Sequence, residues 1–342
     1  MVKLEGMRCG INIGNSLDCF TETHDATETS WGNPVITKEM IEMFADKGFG
    51  ILRVPVTWDD HFGPAPDYRI DTKWMNRVKQ VVDWGLESGM TVILNMHHEF
   101  RWMRCSLENL WEILPKYRIL WQQIASEFED YDERLILQGT NEPTLMGGEN
   151  CSWGSGTEDV RAAINAINHT FVRTIREEKG YNKSRWLCVT GMAARPLEAC
   201  MKDMIFPKDE HLIYTLHCYT PDRFVFERDR RIDTPFFDEK AKDEVYAMFE
   251  DIKKYSRLYD IPVMITEFGA VAKKLPDGSY NTEERIKFVD YFRKCADDLN
   301  IPYVWWDNNY LVEGDEHFGL FDRAKGKCLF DDLVYAITKQ GV

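Results

Sequence analysis

The chain lacks any run of 18 or more consecutive apolar residues, so nothing in its 342 residues reads as a membrane-spanning helix. Its start, Met1-Val2-Lys3-Leu4-Glu5-Gly6, has none of the apolar centre that a signal peptide needs. Either the protein is cytoplasmic or an export signal lies outside this sequence; secretion is the expectation. Basic charge is also short: 42 Lys and Arg face 57 Asp and Glu, for a net charge of −15, and no basic stripe relieves it. That excludes nucleic acid as a natural partner and leaves a neutral one, such as a polysaccharide, best suited. The nine cysteines (9, 19, 105, 151, 188, 200, 218, 295 and 328) are odd in number and scattered, with no C-x-x-C pair. Neither a zinc knuckle nor a redox motif is indicated, and they read as small buried hydrophobes. H-E-x-x-H, G-x-S-x-G, the P-loop and G-x-G-x-x-G are missing too. Zinc-protease, serine-hydrolase and nucleotide chemistry therefore have no support, and neither a cofactor nor a metal is expected.

No Pro/Gly/Ser-rich linker divides the chain, which is read as one domain over residues 1–342. The hydrophobic fraction of 44% and aromatic fraction of 13% supply a large core. Short apolar runs at 9–13, 50–54, 90–95, 134–138, 185–190, 212–216, 262–265 and 302–305 read as strands. Helical patterns alternate with them near 37–47, 72–88, 109–128, 157–178, 239–258, 281–299 and 328–338, with a short one near 194–204. In the second, Asp71 is the expected N-cap, Trp74, Val78, Val81, Val82 and Leu86 share one face, and Gly89 is the stop. Eight strands in alternation with helices predict a parallel sheet closed into a (β/α)₈ barrel, an α/β fold. Residues 144–156 and 219–238 read as long loops on the face where such barrels carry their chemistry.

Glu142 and Glu267 each stand at the end of an apolar strand run. Other polar residues gather at equivalent positions: Asn15 and Asp18, Arg53, His97, His98 and Glu99, Asn141, His217 and Tyr219, then Trp305, Trp306 and Asp307. Each is expensive to bury alone, and around one cleft they can satisfy each other and a ligand. Two facing carboxylates are the minimum apparatus for breaking a glycosidic bond; a retaining pair stands about 5–5.5 Å apart. Arg53 near Glu267 would hold it ionised, while Glu142, beside a histidine and in a drier setting, keeps its proton. His97-His98-Glu99 invites a metal reading, but adjacent residues in an extended segment point opposite ways, which favours hydrogen bonding. Trp74, Trp84, Trp111 and Trp121 fall on helices and read as core. Trp31, Trp58, Trp102, Trp153 and Trp306 are the indoles open to a cleft role, since a loop indole can stack on a pyranose ring.

The ordered set Gly10-Ile11-Asn12-Ile13-Gly14-Asn15-Ser16-Leu17-Asp18, Trp31-Gly32-Asn33-Pro34, Arg53-Val54-Pro55, Asn95-Met96-His97-His98-Glu99, Asn141-Glu142-Pro143, His217-Cys218-Tyr219, Thr266-Glu267-Phe268-Gly269 and Trp305-Trp306-Asp307-Asn308 resembles glycoside hydrolase family 5, and its endoglucanases most. The resemblance implies a retaining mechanism with Glu142 as acid/base and Glu267 as nucleophile. It casts Asn141 as partner of the sugar 2-hydroxyl, and Arg53 and Tyr219 as partners of the nucleophile. His97 and His217 join the family's polar set, and Trp305 becomes the platform under the sugar before the cut, joined to Trp306 by a cis peptide. Asn15 and Asp18 would help to bind a more distant glucose. The expected substrate is a cellulose-type β-1,4-glucan, and the expected state a monomer. Xyloglucan, mixed-linkage β-glucan or mannan are the alternatives under the same mechanism, and a catalytically inactive sugar-binding barrel is the alternative from another class.

Overall fold

A computed structural model describes residues 4, 6–145, 154–229, 231–311 and 316–339. Eight parallel strands close in chain order: β1 (Cys9–Ile13), β2 (Ile51–Val54), β3 (Thr91–Asn95), β4 (Leu135–Gln138), β5 (Leu187–Thr190), β6 (Leu212–Cys218), β7 (Val263–Phe268) and β8 (Tyr303–Asp307). Pairing of β8 with β1 completes the barrel. Outside it run α1 (Lys38–Asp46), α2 (Thr72–Glu87), α3 (Leu110–Glu127), α4 (Glu158–Glu177), the one-turn helices α5 (Glu198–Met201) and α6 (Asp222–Val225), α7 (Glu239–Tyr259), α8 (Thr282–Leu299) and α9 (Asp331–Thr338). A two-stranded hairpin, β9 (Phe321–Asp322) with β10 (Lys327–Cys328), lies between β8 and α9. Asp71 caps α2 as expected, accepting from the Trp74 amide at 2.9 Å. None of the described helices is long and apolar enough to cross a membrane. The eight described cysteines are all free, and all but Cys295 are buried. Cys151, Trp153 and most of the predicted loop 144–156 lie outside the described residues.

Side chains alternate between the two faces of a strand, so inward positions recur every second residue. Ile51, Ile93, Ile136, Cys188, Ile213, Met264 and Val304 form an apolar cluster separate from the one under the helices. Two residues further along six of these seven strands stand Arg53, Asn95, Gln138, Thr190, Thr215 and Trp306, joined by Asn12 on β1; the polar members are fully buried. The barrel is thus oily below and polar above, and the polar tier opens onto the C-terminal face.

The seventh strand departs from this period. Its register against β6 runs Leu216↔Ile265 and then His217↔Glu267, leaving Thr266 as one extra residue. The same slip appears against β8, where Ile265 pairs with Tyr303 and Phe268 with Trp305. Without the bulge, Met264 inward would put Glu267 outward. With it, Phe268 turns out to stack on Phe292 at 4.5 Å, and Glu267 turns into the barrel mouth. Strands β6, β7 and β8 also end at Cys218, Phe268 and Asp307 rather than at 216, 265 and 305. Runs judged by apolarity stop short there because His217 and Glu267 are polar yet remain in the ladder.

Candidate active site

The centre of the polar tier is Arg53, whose side chain is wholly buried. Its Nη1 donates to Glu267 Oε1 at 2.7 Å and to Asn12 Oδ1 at 2.8 Å, and its Nη2 donates to Asn141 Oδ1 at 2.6 Å. Nε donates to Gln138 Oε1 at 2.8 Å. One guanidinium therefore fixes the β7 carboxylate and the asparagine that precedes Glu142, a use for which its planar fork is suited. The Tyr219 hydroxyl donates to Glu267 Oε2 at 3.0 Å, so both oxygens of Glu267 accept a hydrogen bond.

Between the two glutamates sits His217. Its Nδ1 is 2.7 Å from Glu142 Oε1 and 3.3 Å from Glu267 Oε2, and one oxygen of each carboxylate and a ring nitrogen all lie within 4.8 Å of one another. Burial pushes the imidazole down to about 3, against the pull of Glu267, so the ring is neutral. Nε2 is buried without a partner among the described residues. A buried lone pair is cheaper to leave unpaired than a buried N–H, which assigns the proton to Nδ1. His217 then donates to Glu142 Oε1 and leaves Oε2 to carry the acidic proton.

Burial also pushes the Glu142 carboxyl up to about 8, with Arg53 opposing and Glu316 reinforcing. Burial raises Glu267 as well, but His217 and Arg53 pull it down while Glu142 pushes it up. The pair is thus divided: Glu267, with a cation and a phenol as donors, is the carboxylate, and Glu142 is the acid. Glutamates and histidine at such distances resemble a cation cradle, yet Arg53 already supplies the compensating positive charge.

A cleft of about 930 Å³ surrounds the pair, lined from the β1 and β3 loops on one side to the β5 loop and α7 on the other. Asn15, Trp31, His97, His98, Asn141, His217 and Tyr219 all face it, together with Glu142 and Glu267. Sequence reasoning missed Phe20, Phe100, Arg195, Asp222, Arg228, Tyr310 and Glu316, which also line it. They sit in loops or, for Asp222, at the start of one-turn helix α6, without periodicity, so only their aromatic or charged character offered a signal.

Four expectations about these residues need correction. Trp305 is fully buried, faces the helices, and donates its indole N–H to Phe318 O at 2.9 Å. Its neighbour Trp306 shares parity with inward Val304, lines the cleft and lies parallel to His97 at 5.7 Å. Gly14 makes room for it: a Cβ there would come within 2.6 Å of the indole. The Trp305–Trp306 bond is trans; the cis peptides among the described residues precede Pro66 and Pro221. Asp18 is wholly buried and accepts from the Asn15 and Ser16 amides at 3.0 and 2.7 Å. It shapes the turn that presents Asn15, whose φ is +56°, rather than facing the cleft itself. Lastly, His97 and His98 do not diverge. β3 ends at Asn95, the alternation ends with it, and the two rings meet edge to face at 4.3 Å.

The remaining indoles divide cleanly. Trp58 is fully buried and donates to Asn95 O, Trp102 donates to Glu99, and Trp111, expected in the core, is 74% exposed on the solvent face of α3. Asp307 faces outward and binds Arg323 at 2.7 Å.

The divided pair predicts a bell-shaped pH profile for kcat/KM. Activity should fall on the alkaline side as Glu142, pushed up to about 8, loses the proton it must donate. It should fall on the acid side as Glu267, raised by burial, gains one. Rates on a soluble glucan from about pH 4 to pH 10 check this, and a flat profile contradicts the division.

The model of the cellulase family, glycosyl hydrolase family 5, matches residues 17–311. Endoglucanase A of Ruminococcus albus is 39% identical over 334 residues, spanning 97% of this chain and 90% of that protein. Among solved structures, a GH5 xyloglucan-specific endo-β-1,4-glucanase from a metagenomic library, in complex with cellotriose, superposes with a TM-score of 0.91 at 35% identity. That match covers 97% of this chain and 96% of that one. A GH5-4 broad specificity endoglucanase from Ruminococcus champanellensis with bound cellotriose gives 0.90 at 34% identity, again covering 97% and 96%. With the model covering most of the chain, and the two structures superposing along nearly all of it, this chain belongs to glycosyl hydrolase family 5, the cellulase family.

Proposed function

We propose that this chain hydrolyses internal β-1,4 linkages of a glucan with retention of anomeric configuration. Glu267 is the nucleophile and Glu142 the acid/base. The observation that carries the reading is the spacing of the pair, with carboxylate oxygens within 4.8 Å of each other. An inverting enzyme needs about 6.5–9.5 Å between its carboxyl groups to seat a water, whereas a retaining pair stands at about 5–5.5 Å.

In the first step Glu267 Oε attacks the anomeric carbon while Glu142 gives its proton to the departing glycosidic oxygen. The C–O bond breaks as the glycosyl ester forms. Arg53 and Tyr219 hold the attacking carboxylate, one on each oxygen, so that one of them binds the carbonyl oxygen of the resulting ester. In the second step Glu142, now ionised, takes a proton from water, whose oxygen displaces Glu267 and restores both groups. Asn141, held by Arg53, stands where a 2-hydroxyl would be met. Trp306 rather than Trp305 supplies the apolar platform, and Trp31 a second indole further along the cleft.

The substrate assignment follows the relatives, which are endoglucanases, two of them solved with cellotriose. A xyloglucan backbone is the second reading, favoured by the likeness to a xyloglucan-specific structure. We further propose that the chain is one catalytic unit and acts as a monomer outside the cell. The whole described site lies within one barrel, and a polysaccharide does not cross a membrane unaided, so it would be met outside the cell. Initial rates on carboxymethylcellulose, xyloglucan, lichenan and mannan test the reading. Glucan-backbone substrates are expected to be cut faster than mannan. Dominant mannan hydrolysis would overturn the glucan assignment, and no hydrolysis of any would leave a sugar-binding barrel.

A further inference from the structure

Beneath the cleft, Gln138 touches neither glutamate, yet everything it touches leads to them. Its Oε1 accepts from Arg53 Nε at 2.8 Å, and its Nε2 donates to Thr215 Oγ1 at 3.2 Å and to Thr190 Oγ1 at 3.4 Å. Thr215 Oγ1 lies 2.8 Å from Thr190 Oγ1, and Thr190 Oγ1 donates to Thr140 O at 2.9 Å. All four side chains are buried, with Gln138, Arg53, Thr190 and Thr215 at 0% exposure. Arg53 has only donors, so the amide oxygen must face it. That leaves the amide N–H₂ for the two threonine hydroxyls, whose own protons have the carbonyls of Val189 and Thr140 as acceptors. The chain of donors admits one orientation of the amide.

The charge count is equally constrained. Three of the acceptors around Arg53 are the amide oxygens of Asn12, Gln138 and Asn141, and Glu267 is its one carboxylate partner within 4.0 Å among the described residues. We propose that Gln138 is a positioning residue: its neutral amide aims the Arg53 guanidinium at Glu267 and Asn141 and leaves the positive charge to Glu267 alone. This rests on the assignment of Glu267 as nucleophile.

Gln138→Glu keeps the shape and the acceptor but adds a second anion on the same guanidinium. The threonine hydroxyls can turn to donate to it, so the new carboxylate would be accommodated ionised. Glu267 would then share its cation and be harder to ionise, so the acid limb of the pH profile should rise by about one unit and the rate fall by about tenfold. KM should stay within about twofold, because Gln138 meets no substrate.

The probe is a 2-deoxy-2-fluoro-β-cellobioside with a dinitrophenolate leaving group. Its departure needs no acid, so the inactivation rate against pH reports the nucleophile alone, and mass mapping of the labelled peptide locates it. Label on Glu267 in both proteins, with slower labelling and an acid limb moved to higher pH in Gln138→Glu, supports the proposal. Label on Glu267 with an unmoved acid limb overturns the proposal and leaves the nucleophile assignment intact. Label elsewhere overturns both. If Gln138→Glu does not fold, Thr215→Val carries the test. It removes the nearer of the two hydroxyls that hold the amide, and labelling should slow by about fivefold at unchanged fold, as judged by circular dichroism. Wild-type labelling by a folded Thr215→Val protein would overturn the proposal.

Discussion

Glu267→Gly is expected to lose glucan hydrolysis by about 10⁴-fold or more, because each decade is about 1.36 kcal/mol of barrier and no other group can form the glycosyl ester. Arg53 sits 2.7 Å from the removed carboxylate and is wholly buried, so the variant keeps an unpaired cation at the bottom of an empty slot. A small anion fits both the space and the charge. Sodium azide with an activated aryl β-cellobioside is therefore expected to restore turnover and to give the α-glycosyl azide, the inverted product. Chromatography and NMR of that product are the check. Residual wild-type rates, or a β-azide, would move the nucleophile to another residue.

Glu142→Ala is the second large effect, and its size should depend on the leaving group. On a glucan, where the departing sugar oxygen needs a proton, the loss should be about 10²–10⁴-fold, the usual worth of a placed acid. On an aryl glycoside with a dinitrophenolate leaving group the first step needs no proton and should run at nearly the wild-type rate. Slow hydrolysis of the ester would follow, visible as a burst of phenolate. The alkaline limb should vanish, since the group that titrates there, pushed up to about 8 by burial, is gone. Equal losses for both leaving groups would mean that the residue supports structure rather than proton transfer.

Much of this was legible from parity and position. Arg53 and His217 lie in strands whose inward parity is set by Ile51 and Ile213, the apolar residues below them, and Glu142 follows the end of β4 in the same tier. What was not legible had a physical reason in each case. The Trp305-Trp306 pair offers two indoles of opposite parity, and only counting from Val304 selects the inward one. Asp18 is polar at a strand end like its neighbours, but its carboxylate is consumed by two backbone amides, a local bond that spacing does not reveal. Glu267 has the wrong parity until the extra residue Thr266 is inserted, and no residue type announces a bulge in a fully buried strand. Nothing in the sequence marks Gln138, because its partners Arg53, Thr190 and Thr215 come from three other strands and meet only when the barrel closes.

The central claim is a two-step displacement between carboxylates spaced for retention, and it is tested most directly by the configuration of the first product. Proton NMR of fresh cellopentaose hydrolysate, recorded before mutarotation, resolves the anomeric signals of the newly formed reducing end. The β-anomer should appear first and the α-anomer only as mutarotation proceeds. An initial α-anomer would mean a single displacement by water and would contradict the assignment of Glu267 as nucleophile.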